Sequence, residues 1–302
     1  MGNRRLGTRR LETVLDNLIG HSTGGLNGSP FIIKDPQRYY VEEYFTDGIP
    51  QLQAILDGTY NTEATRIASR TMEVIGNSAQ SADVTRTATV PGVRLGDNGA
   101  GNGHAAVLIG HQDQSAAMSA MGAAIWGTEN ECHFECLIRT GTSIATQTWG
   151  AGFLNNASQA ASSAVFNHGT GDNAAYFVYG DTDDDTGTLA DNTKLYFVTN
   201  HGAGNDVRVK LPITVAASTT YRLGIQIDAS RQVSIFVDGV QYSLQPLTAA
   251  AEYNSAGVGT QKSGALTDNI NLLPAVGIQQ QTTDQRTLDV SYMKCSRVSF
   301  DN

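Results

Sequence analysis

Charge is scarce in this chain. Only 16% of its 302 residues are Asp, Glu, Lys or Arg, which excludes a helical bundle, normally richer in Glu and Lys. Long apolar stretches are missing too: no run approaches the ~20 residues of a membrane-spanning helix. The segment MGNRRLGTRRLETVLDNLIG lacks the continuous apolar core of a secretory signal, so synthesis in a cytoplasm without export is expected. Positive charge is short overall: the net charge of −9 argues against a nucleic-acid-binding body.

Cysteine is rare, with three in the chain, so no disulfide framework is expected. Cys132 and Cys136, read as lying on one strand, have Cα atoms about 13 Å apart at ~3.3 Å per residue, too far for a bridge. His133 between them points to the opposite face from both thiols, which speaks against zinc. The sequence reads Cys132, Phe134, Cys136 and Ile138 as the buried face of that strand.

Glycine, by contrast, is plentiful at 32 positions, and turns organise the chain. In TYRLGIQIDASRQVSIFVDGVQY (220–242), Tyr221, Leu223, Ile225 and Ile227 alternate with Arg222, Gly224, Gln226 and Asp228. That is the period of a half-buried strand. Val233, Ile235 and Val237 repeat it, and Asp238-Gly239 predicts a type I′ hairpin turn. Further strands are expected at 39–45, 66–75, 84–90, 105–109, 131–139, 149–154, 175–179, 194–199, 206–211, 275–279 and 288–300. Short strands set between Gly/Asn/Asp turns predict an all-β sandwich over 37–302.

Residues 1–36 read as an arm. Arg4, Arg5, Arg9 and Arg10 are the only charges in the first ten residues. Leu11, Val14, Leu15, Leu18 and Ile19 then fall at helical spacing, Gly20 ends the helix, and a Gly-rich connection follows. An apolar stripe with four arginines should dock, either on its own sandwich or on a partner.

The order of strand, Asp, polar loop and strand ending Val-Asp-Gly resembles the concanavalin-like jelly roll of laminin-G and legume-lectin type domains. WGTEN (126–130) leading into HFECLIRTG (133–141), then WGAGF (149–153), YFVYGDTDDD (176–185) and YMKCSRVSF (292–300) together resemble a group of phage virion proteins that carry this jelly roll. The resemblance covers roughly 120–302. It implies a non-enzymatic structural or decoration protein of a tailed-phage particle, located in the virion. Its partners would be the major capsid protein or a neighbouring structural subunit, and further copies of itself. Arg4, Arg5, Arg9, Arg10, Leu11, Val14, Leu15 and Leu18 would make those contacts. The alternative is a carbohydrate-binding module recognising host surface glycans. Neither nucleic acid nor membrane is expected as a partner.

An enzymatic reading has one foothold. Jelly-roll glucanases carry Glu-x-Asp-x-Glu on their active strand, and Glu131 and Glu135 match its outer positions, while His133 stands where the central Asp would be. Retaining hydrolysis needs carboxyls about 5–5.5 Å apart, and a flat strand separates these Cα atoms by ~13 Å. Alternating Glu131, His133, Glu135 and Arg139 also reads as a solvent face, so no catalytic residue is expected. No Gly-x-Ser-x-Gly elbow or phosphate loop occurs. Asp181, Asp183 and Asp185 space carboxylates as calcium prefers, but without the EF-hand's Gly and Glu, so no cofactor is expected beyond this weak calcium candidate.

Overall fold

The structure, a computed structural model, describes residues 38–45, 67–68, 72–75, 84–86, 91–96, 105–110, 126–155, 173–180, 189, 191–201, 206–242, 265–280 and 286–298. The arm and Asp181, Asp183 and Asp185 lie outside the described residues. The strands are β1 (Arg38–Glu43), β2 (Ile67–Ala68), β3 (Met72–Ile75), β4 (Val84–Arg86), β5 (Val93–Leu95), β6 (Ala105–Gly110), β7 (Trp126–Gly127), β8 (His133–Thr140), β9 (Gln147–Asn155), β10 (Asn173–Gly180), β11 (Lys194–His201), β12 (Asp206–Thr214), β13 (Thr220–Ile227), β14 (Val233–Val237), β15 (Val240–Tyr242), β16 (Asn271–Gln280) and β17 (Leu288–Val298).

They form two antiparallel sheets. The first runs β15-β14-β13-β8-β17-β5-β4, with β1 also on β17; the second runs β12-β11-β10-β9-β16-β6-β3-β2, with β7 also on β16. This is the all-β, two-sheet antiparallel sandwich expected from the sequence. Phe134, Ile138, Leu223, Ile225, Ile235 and Val237, expected inside, are all buried in the core between the sheets.

The hairpin has the conformation its residues dictate. Asp238 (φ 51) and Gly239 (φ 84) are both left-handed, as a type I′ turn requires. Asp238 Oδ1 also accepts from Arg222 N at 2.8 Å. Asp228 ends β13 in a related way, its Oδ1 accepting from Ser230 N at 2.8 Å and Gln232 N at 2.9 Å, so the side chain satisfies backbone donors that leave the ladder.

The two sheets differ in their outer faces. Along β13 and β14 buried and half-exposed residues alternate, which leaves the first sheet one polar face. In β10 every residue from Ala174 to Tyr179 is buried. Phe177 and Tyr179 enter the inter-sheet core, whereas Ala174, Tyr176 and Val178 form a second apolar cluster with Leu154, Tyr196, Val198 and Leu273. Continuous apolar runs such as AAYFVY and LYFV are therefore the signature of a sheet buried on both faces. Within it Gly152 (φ 153) is required: an added Cβ would sit 2.5 Å from Ala175 O and from Tyr176 Cα.

One sequence expectation needs correction, and one strand was not expected. Residues 66–75 are not one strand but a small antiparallel pair, with Ile67 opposite Val74 and Ala68 opposite Glu73. The three-residue β5 had no sequence counterpart; it is held by pairing with β17 and β4, a long-range cause that local pattern does not carry.

Candidate functional site

The polar face of the first sheet gathers the chemistry among the described residues. On β8, Phe134, Cys136 and Ile138 enter the core, so Glu135, between them, points outward. β17 lies beside β8, with Lys294 opposite Glu135. The register shifts between Val290 and Tyr292, a bulge that inserts Ser291. Val290 and Met293 both face the core, and the extra residue between them turns Tyr292 outward, towards Glu135.

Glu135 is only 3% exposed. This corrects the expectation that it belongs to a solvent face. The Tyr292 hydroxyl donates to Glu135 Oε1 at 2.7 Å, supplying the partner a buried carboxylate needs. Burial first, then the Glu135 charge and that hydrogen bond, push the Tyr292 phenol far above its ordinary value. The phenol is the donor of this contact.

Lys294 completes the group. Its Nζ lies 4.9 Å from the Tyr44 ring centroid and 4.8 Å from that of Tyr292, and the two rings are 6.0 Å apart. An ammonium within about 6 Å of a ring face is attracted by the ring quadrupole. Tyr44 directly follows β1, whose residues Arg38 to Glu43 pair with Val298 to Met293. Val41 packs against the core and Phe45 is buried within it. Tyr44 itself is 44% exposed, so this lysine–tyrosine group reaches solvent there. Farther along β17, Asp289 accepts from Arg94 Nε at 2.6 Å and from Nη2 at 3.1 Å.

The glucanase-like pair is not assembled on one strand. Glu131 precedes β8 in a left-handed conformation (φ 47), while Glu135 is committed to Tyr292. Cys132 also lies before β8 and is buried, as are Cys136 and Cys295; all three are free. Burial pushes the Cys295 thiol well up, with Cys132 and Cys136 adding to it, and burial followed by the Glu135 charge does the same for Cys136. Among the described residues no group of His, Cys, Asp and Glu has the arrangement of a metal site.

Tyr44, Tyr292 and Lys294 were not singled out by sequence reasoning. The one local signal was the broken alternation SYMKCS in β17, which marks the bulge. Trp126 and Trp149 are both buried in the core.

No protein-family model matches the chain, and no curated protein matches it in sequence. Solved structures similar to it include a protein of unknown function from Shewanella oneidensis MR-1 (9% identity, TM-score 0.47, covering 88% of this chain and 89% of that one). Another is the Bacillus licheniformis β-glucanase (9% identity, TM-score 0.45, 84% and 96% covered). A third is the exoplasmic/lumenal domain of VIP36 in its Ca2+/mannose-bound form (8% identity, TM-score 0.44, 76% and 84% covered).

Proposed function

We propose that this chain is a non-enzymatic structural or decoration protein of a tailed-phage particle, attached to the capsid or to a neighbouring virion subunit. The observation that carries this reading is the seam between β1 and β17. All six residues of β1 are in register with a strand that also pairs with β8 and β5. Val41 and Phe45 add core contacts, and burying a side chain such as Phe45 contributes about 1.5–3 kcal/mol. β1, the first described strand after residues 1–36, is thus held along its whole length by β17. Arg4, Arg5, Arg9 and Arg10 beside Leu11, Val14, Leu15 and Leu18 suit an acidic, grooved partner surface. The commitment of Glu135 to Tyr292 also favours a binding role over hydrolysis.

The test is deletion of residues 1–25. The truncated protein should stay folded and soluble yet fail to join the particle or its own oligomer. Normal assembly of the truncated protein overturns the proposal, as does a glycan-cleaving activity that Glu131→Gln abolishes.

A second reading is supported by the partly exposed Tyr44 beside Lys294: recognition of host surface glycans, since sugars stack on exposed aromatic faces. A glycan array probed with the native chain and with Tyr44→Ala separates the two. Signal lost in the variant supports glycan binding, and the absence of signal from the native chain removes it.

A further inference from the structure

Strand β9 carries a polar anomaly in the core. Its inward positions are Gln147, Trp149, Ala151 and Phe153, the last three belonging to the inter-sheet cluster and the first sharing their face by period. Gln147 and Trp149 are both 0% exposed. Among the described residues, neither Oε1 nor Nε2 of Gln147, nor Nε1 of Trp149, has a hydrogen-bond partner. Exchanging the two amide atoms of Gln147 changes nothing, because both are orphaned. Buried polar groups in folded proteins are nearly always paired, with protein or with ordered water.

The surroundings hold these groups in place. The Trp149 indole stacks with Tyr179, centroids 5.8 Å apart, and with Tyr221 at 6.4 Å. The Tyr221 oxygen accepts from Ala216 N at 2.9 Å, and the Tyr179 hydroxyl is directed to Ile144 O at 3.4 Å. β9 pairs on both sides at Trp149, which lies opposite Tyr179 on β10 and Ile278 on β16, while Gln147 lies opposite Gln280 on β16.

We infer that Gln147 and Trp149 bind an internal water that bridges the carboxamide and the indole N–H. The chemistry selects this ligand. An anion would satisfy the N–H groups and leave Oε1 bare, whereas a cation would do the reverse. Water accepts from Trp149 Nε1–H or Gln147 Nε2–H and donates to Gln147 Oε1. The Gln147 and Trp149 Cα atoms are about 6.8 Å apart at ~3.4 Å per residue, and one bridging water requires the two side chains to lean together until their polar atoms are about 5–6 Å apart. A buried water needs two to four polar partners, and these two side chains supply three atoms.

The test uses the full chain, labelled with nitrogen-15. The Trp149 indole proton, assigned by its loss in Trp149→Phe, should show a direct cross-relaxation peak with a long-lived water. In Gln147→Leu that peak should weaken at least severalfold and Tm should fall, because the water loses the carboxamide. Absence of the peak in the native chain overturns the inference. So does an unchanged or raised Tm in Gln147→Leu, the result expected when an apolar group replaces an amide that was unpaired. Should the variant not fold, the native-chain spectrum decides alone.

Discussion

Tyr292 and Glu135, 157 positions apart in sequence, meet at 2.7 Å on the polar face of the first sheet. The bond exists because the bulge at Ser291 turns the phenol towards a carboxylate that is 3% exposed. Removing the hydroxyl by Tyr292→Phe withdraws a donor from a buried charge, and should destabilise the protein by about 1.5–3 kcal/mol. Glu135→Gln, which keeps an acceptor for the phenol, should cost less. Denaturant midpoints of the two variants check this ordering; equal midpoints for Tyr292→Phe and the native chain would show that the bond contributes nothing.

The same contact gives an alkaline limit. The folded phenol titrates above its ordinary value of 10.0, through burial first and the Glu135 charge second. A group whose folded pKa is raised contributes stability that is complete below the unfolded pKa and is lost as pH rises towards the folded one. Stability should therefore decline above about pH 10, and more steeply than in Tyr292→Phe. Parallel urea titrations across that range supply the comparison; identical slopes would count against it.

Gly152→Ala should be among the most damaging single changes. The new Cβ would lie 2.5 Å from backbone atoms of Ala175 and Tyr176, at a φ of 153. Neither neighbour can yield, since β10 is paired on both sides by β9 and β11. A loss of about 3 kcal/mol or more is expected from combined overpacking and strain, read as a fall in Tm or as insoluble expression.

The three thiols should be silent in the native state. Cys132, Cys136 and Cys295 are all buried, and the last two are held protonated by burial, while the thiolate is the reactive form. A thiol reagent should label none of them in buffer and all three in denaturant. Labelling of Cys136 before unfolding would contradict the placement of β8.

Alternation made the centre of the first sheet legible: Leu223, Ile225, Ile235 and Val237 all sit where their period put them. Asp238-Gly239 announced its turn because both residues tolerate left-handed backbone. The continuous runs around Phe177 and Phe197 marked strands, though the second apolar cluster behind them was not foreseen. What was not legible depends on distant partners. Residues 66–75 contain enough apolar positions for one strand, and only the pairing of Ile67 with Val74 shows the reversal. Glu135 looked like surface, because burial of a charge depends on Tyr292 arriving from the far end of the chain.

The pairing of β1 along β17 also sets how the protein bears tension. Arg38 lies opposite Val298 and Glu43 opposite Met293, so a pull that enters through residue 37 along the strand axis strains the ladder bonds together, in shear. Shearing requires them to fail collectively, whereas a pull across the sheet would open them in succession. With Phe45 wedged in the core just past the last pair, the strand is stoppered against sliding out, and the connection is stiffest in the direction of a tether drawn along β1.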